Sequence, residues 1–168
     1  MLMVCPRVYC RLMEQEDLGA LFAHVTRWLV DAERPLLAAH GLSMWAYVVL
    51  SQLKRRPAGT QLALAEAIRY DKTRLIGLLD ELEHDGLIAR TPDPQDRRAR
   101  VVTLTDAGQA RHAAAQADIR AMEEEFLADF DDAEQTRLRQ ALAGLAHTAA
   151  TRPPTATDSG GSSTPPES

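Results

Sequence analysis

Apolar side chains recur three and four residues apart through most of this chain, so the pattern predicts helices before any motif is considered. In EDLGALFAHVTRWLVDAERPLLAAHG, residues 16–41, Leu18, Leu21, Phe22, Val25, Trp28, Leu29 and Ala32 make one stripe on a long helix. Pro35 is expected to end or kink that helix, because proline has no N–H and crowds the preceding turn. A second helix starts at the cap Ser43 and runs through MWAYVVLSQLKRR to a break at Pro57-Ala58-Gly59. Thr60 then caps QLALAEAIRY, with Leu64, Ala65 and Ile68 inward, and Asp71 caps KTRLIGLLDELEHDG.

The fourth helix is the most informative. Leu75, Leu78, Leu79 and Leu82 follow the i, i+3, i+4, i+7 template, and Tyr70 stands where a hydrophobic staple onto Leu75 belongs. Gly86 ends it, with Leu87 placed for a Schellman-type contact. Two short helices joined by a tight turn are the plan of a helix-turn-helix. Beyond it the period changes. LIARTPD and RARVVTLT are rich in Ile, Val and Thr, and PDPQDRR between them is turn chemistry, so the two runs pair as an antiparallel hairpin, a wing. Thr105 caps a long helix, DAGQARHAAAQADIRAMEEEFLADF, and DDAEQTRLRQALAGLAHTAA makes another with Leu138, Leu142 and Leu145 on one face. Alanines at 113, 114, 115, 117 and 121 let a neighbouring helix come close.

Composition sharpens this outline. The 168 residues suffice for one ordinary domain, and a hydrophobic share of 45% with a charged share of 26% is that of a soluble globular protein. A net charge of −5 rules against a cationic surface all round, so a basic footprint must be local. The N-terminus MLMVCPRVYCRLM is interrupted by Pro6, Arg7 and Arg11 and lacks the run of about 7–15 apolar residues of a signal peptide. No apolar run approaches the ~20 residues of a membrane span, and the chain reads as cytoplasmic, with no membrane partner. Thr151–Ser168 is Pro, Ser, Thr and Gly with almost nothing to bury, the composition of a disordered tail. The expected fold is mainly α with a small β-hairpin wing: an extension over 1–17, a domain over 18–150 and a tail over 151–168.

Charge is written unevenly along the fourth helix. Arg69, Lys72 and Arg74 cluster at its start, whereas Asp80, Glu81, Glu83 and Asp85 crowd its other half. Complementing the helix dipole would require the reverse order, so the cations at the start serve something outside the helix. Arg97, Arg98 and Arg100 stand at the hairpin. They read either as a solvated tip that blocks edge pairing, or as a cationic probe for the minor groove beside a helix in the major groove.

At these residues the chain resembles the MarR family of winged helix-turn-helix transcriptional regulators. The wing pattern of that family appears as Asp96, Arg98, Leu104 and Thr105 in DRRARVVTLT, followed by DAG, and the likeness extends upstream through LALAEAIRYDKTRLIGLLDELEHDGLI and covers roughly Leu18 to Ala150. The resemblance implies a DNA-reading head over about 60–105 and a homodimer built from helices at about 18–40 and 106–150. It implies a ligand-responsive repressor on a palindromic double-stranded operator. Arg98 then enters the minor groove, Asp96 orients it, and Arg97 and Arg100 contact phosphate. Thr73 and Arg74 are the candidates for base edges, Lys72 for phosphate, and Gly77 for close approach of the groove wall.

Many relatives respond to a small aromatic or phenolic effector. His24, Trp28, His40, Trp45 and Tyr47 are the candidates to line such a pocket, each also readable as ordinary core or surface. Two alternatives stand beside the ligand-responsive repressor. One is an oxidant sensor using Cys5 or Cys10, with Arg7 and Arg11 lowering a thiol pKa; the other is a winged-helix protein-interaction module. An enzyme is not expected. There is no His-Glu-x-x-His site, Gly-rich phosphate loop or nucleophile elbow, and His24, His40, His84, His112 and His147 lie apart without ligand spacing, so neither metal nor cofactor is called for.

Overall fold

The structure, a computed structural model, describes residues 17–56, 59–93 and 100–152. Its elements run α1 (Leu18–Ala39), α2 (Met44–Arg55), β1 (Gly59–Thr60), α3 (Gln61–Ala67), α4 (Lys72–His84), β2 (Ile88–Pro92), β3 (Arg100–Leu104), α5 (Asp106–Phe126) and α6 (Asp132–Thr151). The chain divides into two compact units between Glu123 and Glu124, within α5.

Helix starts follow the sequence closely. The side chains of Ser43, Thr60 and Asp71 accept the N–H groups of Ala46, Ala63 and Arg74, so each α2–α4 start satisfies one otherwise unpaired donor. Gly86, at φ +70°, ends α4 in a Schellman arrangement: Leu87 N–H donates to Leu82 O at 2.9 Å and Gly86 N–H to Glu83 O at 3.0 Å. Leu87 and Leu82 are both buried there.

Pro35 does not end α1, which runs on to Ala39. Asp31, whose carbonyl loses its usual partner four residues on, is exposed, so water can take that acceptor. Leu37 in the last turn is buried in the core, and His40 Nε2 lies 2.7 Å from Asp118 Oδ2 of α5. Tertiary contacts thus carry the helix past a local breaker.

Leu50, Leu53, Leu75, Leu79, Leu87, Ile88 and Val102 form the centre of one core, with Leu37, Ala115 and Ile119 on its α1 and α5 sides. Leu64 and Ala65 are buried in it, Ile68 and Leu78 partly so. Tyr70, expected as a staple, packs partly buried against this core, its ring centroid 4.3 Å from that of Trp45 of α2 and tilted 39° to it. The sheet has three strands in the order β1-β3-β2, all antiparallel. The hairpin pairs Ile88 with Leu104 and Pro92 with Arg100, as its composition predicts. The short β1, Gly59–Thr60, pairs with Val101 and Val102 and was not legible from two residues.

The second unit is dominated by α6, which opens with a reciprocal capping box. Glu134 N–H donates to Asp131 Oδ1 at 2.7 Å, and Asp131 N–H to Glu134 Oε2 at 2.9 Å. Leu138, Leu142 and Leu145 lie exposed on one face. In the first unit α1 likewise leaves Phe22, Val25 and Trp28 uncovered, Trp28 at 42%. Among the described residues no single helix is long and apolar enough to cross a membrane. The N-terminal extension with Cys5 and Cys10, and residues 153–168 of the expected tail, lie outside the described residues; α6 itself takes in Thr151.

Candidate nucleic-acid interface

Burying Leu75, Leu79 and Leu82 on one side of α4 fixes what the other side presents. Lys72, Thr73, Arg74, Ile76 and Gly77 are all exposed, gathered in its first two turns. Ile76, 45% exposed, is an apolar residue on this polar face that the leucine stripe did not single out. Its position one step off Leu75 was the available signal. A Cβ at Gly77 would meet nothing within 4 Å among the described residues, so the glycine leaves open space on the outward face. Arg69 is exposed just ahead of the helix, in the turn after α3.

The acidic half of α4 has a different use. Arg90 of β2 donates through Nε to Glu83 Oε2 at 2.9 Å and lies 2.6 Å from Asp80 Oδ1, while its backbone N–H reaches Glu83 Oε1 at 3.2 Å. Hydrogen bonding from Arg90 holds the Glu83 carboxyl below its ordinary value, and Glu83 correspondingly raises that of Arg90. Arg90 is therefore engaged within the protein and ties the first wing strand to α4. Arg100 is exposed across the hairpin from Pro92 and, with Gln61, Glu83 and Arg90, lines a cleft of about 260 Å³. Asp96, Arg97 and Arg98 lie outside the described residues.

Thr105 joins these parts. Its hydroxyl donates to Gly86 O at 2.6 Å and accepts Gly108 N–H at 3.0 Å, and its own N–H donates to Leu87 O at 3.1 Å. The end of α4, the end of β3 and the first turn of α5 share these few atoms.

A second site lies between α2 and α5. A cavity of about 410 Å³ is lined by Tyr47, Ser51, Lys54, Arg55, His112, Gln116 and Arg120. His112 is 1% exposed; its Nε2 lies 2.8 Å from Ser51 Oγ, its ring stacks on Tyr47 at 5.0 Å, and its Nδ1 has no hydrogen-bond partner among the described residues. Burial, and then the Lys54 and Arg55 cations, hold the imidazole below its ordinary pKa. Lys54 Nζ donates to Gln116 Oε1 at 3.3 Å. Of the five side chains expected at an effector pocket, only Tyr47 lines this cavity. His40 is engaged with Asp118, Trp45 packs on Tyr70, and His24 and Trp28 sit on the exposed side of α1. Ser51, Lys54, Arg55, His112, Gln116 and Arg120, which line this cavity, were not singled out from the sequence, because nothing local pairs residue 51 with residue 112.

The His112 shift has a consequence for stability. A histidine whose folded pKa is depressed adds stability that is fully present above its unfolded value of 6.5 and is lost as pH falls from there toward the folded pKa. Melting temperature should fall between pH 7.5 and pH 5.5, and His112→Gln should flatten that dependence. Equal slopes for the two proteins would refute this role for His112.

Two short helices in a tight turn, a paired wing behind them and an outward cationic face define a winged helix-turn-helix protein. The MarR family model matches residues 42–99. The transcriptional regulator HosA of Escherichia coli O111:H- is 33% identical over 120 residues, covering 70% of this chain and 82% of that protein. The transcriptional activatory protein BadR of Rhodopseudomonas palustris is 38% identical over 98 residues, and the chain spans 55% of its length. A solved structure of the transcriptional repressor CouR bound to a 23-mer DNA duplex superposes with a TM-score of 0.68 at 26% identity, over 77% of this chain and 92% of that one. The chain belongs to the MarR family of transcriptional regulators.

Proposed function

We propose that this protein is a cytoplasmic, homodimeric repressor, not an enzyme, that binds a palindromic double-stranded operator and releases it when a small anionic aromatic effector occupies the cavity between α2 and α5. The observation that carries the DNA reading is the outward face of α4, where Lys72, Thr73, Arg74, Ile76 and Gly77 are exposed together opposite buried leucines. Thr73 and Arg74 read base edges in the major groove, Ile76 supplies an apolar surface for a thymine methyl, and Lys72 holds phosphate. Arg97, Arg98 and Arg100 extend the contact along the wing, with Arg98 oriented by Asp96 in the minor groove. The uncovered stripes of α1 and α6 support a two-fold dimer, which sets half-sites about 10 bp apart.

Support for the effector comes from the cavity lining, which carries three cations and no carboxylate beside the Tyr47 and His112 rings. Such a wall favours an aromatic carboxylate over a neutral phenol. Fluorescence anisotropy on a duplex from the protein's own upstream region, against a shuffled duplex over a salt series, tests the DNA reading. Specific binding with a steep salt slope supports it; equal weak binding to both duplexes contradicts it for that sequence. Arg120→Ala and Lys54→Ala should leave operator affinity within about twofold while raising the benzoate concentration needed for release roughly tenfold or more, since a hydrogen bond to a charged group contributes about 1.5–3 kcal/mol. Unchanged release by both variants would place the effector elsewhere.

A further inference from the structure

Arg69 stands in the turn between α3 and α4 with φ +51°, the one non-glycine residue among those described in the left-handed region. The turn is a Schellman arrangement: Arg69 N–H donates to Glu66 O at 3.2 Å and Tyr70 N–H to Ala65 O at 3.0 Å. Glycine takes this position without steric cost, and asparagine or aspartate with little, whereas an arginine Cβ crowds the neighbouring carbonyl. The side chain is exposed and makes no ion pair or side-chain hydrogen bond among the described residues that would offset the strain. A strained backbone position held by a residue with no internal use points outward to what that residue contacts. What it offers is a long cation, three residues before Lys72 and five before Arg74, on the approach to the outward face of α4.

We infer that Arg69 is a DNA-backbone anchor: its guanidinium binds a phosphate at the edge of the major groove, and the turn accepts a left-handed arginine in place of glycine to put it there. This rests on the DNA-binding reading above. It predicts opposite signs for stability and binding in one variant. Arg69→Gly should melt higher by roughly 2–6 °C, as relief of one left-handed side chain does in a chain of this size. Its operator affinity should fall about tenfold at 150 mM salt, and the slope of log K against log salt should shrink by about 1.8, one phosphate lost in each half of a dimer. Arg69→Lys keeps the charge and should keep most of the slope without the gain in melting temperature, and Arg69→Asn should behave like glycine in binding.

Thermal melting of the full chain and anisotropy across a salt series decide it. Higher melting with an unchanged salt slope in Arg69→Gly overturns the phosphate contact while leaving the DNA-binding reading intact. Lower melting in Arg69→Gly overturns the claim that the turn is strained for binding, since arginine would then be holding the turn. A wild-type protein without salt-dependent binding to any duplex overturns this inference together with the reading on which it rests.

Discussion

Gly108→Ala should lower the stability of this protein by about 3 kcal/mol or more, with a fall in melting temperature of roughly 6–12 °C. Gly108 opens α5 directly against the chain segment that ends α4. A Cβ there would lie 2.0 Å from Leu87 O and 2.9 Å from Leu104 Cδ1. A leucine side chain can rotate away, but the Leu87 carbonyl cannot, because it accepts Thr105 N–H and belongs to the segment closing the Schellman turn. Making room means moving the first turn of α5 away, and the Thr105 hydroxyl bridge to Gly86 O and Gly108 N–H goes with it. The cost therefore combines steric overlap, lost hydrogen bonds and a lost helix cap. Gly77→Ala is the control of opposite sign. Among the described residues nothing lies within 4 Å of its added methyl, and an exposed helix interior should gain about 1 kcal/mol. Differential scanning calorimetry of the two variants checks both, and a Gly108→Ala protein melting within 2 °C of wild type would show that α5 does not sit on Leu87 this closely.

Arg74→Ala should have the largest effect on operator binding. Arg74 is exposed on the outward face of α4, and its backbone N–H is bonded to the Asp71 cap, so truncating the side chain leaves the helix start intact. A bidentate arginine contact to a base pair contributes about 1–3 kcal/mol of discrimination. A two-fold dimer makes that contact twice, so the expected loss is about 2–6 kcal/mol, roughly 30-fold to 10⁴-fold in affinity. It should be concentrated at one base pair of each half-site, whose substitution then no longer matters. Lys72→Ala should instead weaken all sequences alike and reduce the salt slope by about 1.8, two phosphates per dimer. Competition binding with single-position operator variants, run for both proteins, separates the roles. Uniform weakening by Arg74→Ala would reassign that arginine to the backbone.

The reading head was legible because its determinants are local. Ser43, Thr60, Asp71 and Thr105 each satisfy an N–H three residues on, and Gly86 closes a turn over five. The hairpin followed from β-prone runs flanking turn residues, and the outward face of α4 is what remains once the leucine stripe is placed inward. Pro35 does not end α1 for the complementary reason: the local cost is real, but Leu37 just beyond it is buried in the core and His40 meets Asp118, 78 positions along the chain, so what holds the last turn is distant in sequence. Arg69 was noticed as a charge, yet its left-handed backbone has no local signature, since arginine is an unexpected residue there.

The sequence by itself determined the helices, the caps that start α2 to α5, the glycine stop of α4, the wing hairpin and which side of α4 faces outward, because those depend on interactions between residues three to five positions apart or across one tight turn. Tertiary structure alone decided that Arg90 is tied to Asp80 and Glu83, that Gly108 has no room for a methyl, and that Ser51 and His112, 61 positions apart, meet beside a cationic cavity. Those arrangements depend on how finished helices and strands pack, and packing is set by the shape of the whole core, which no short window of the chain contains.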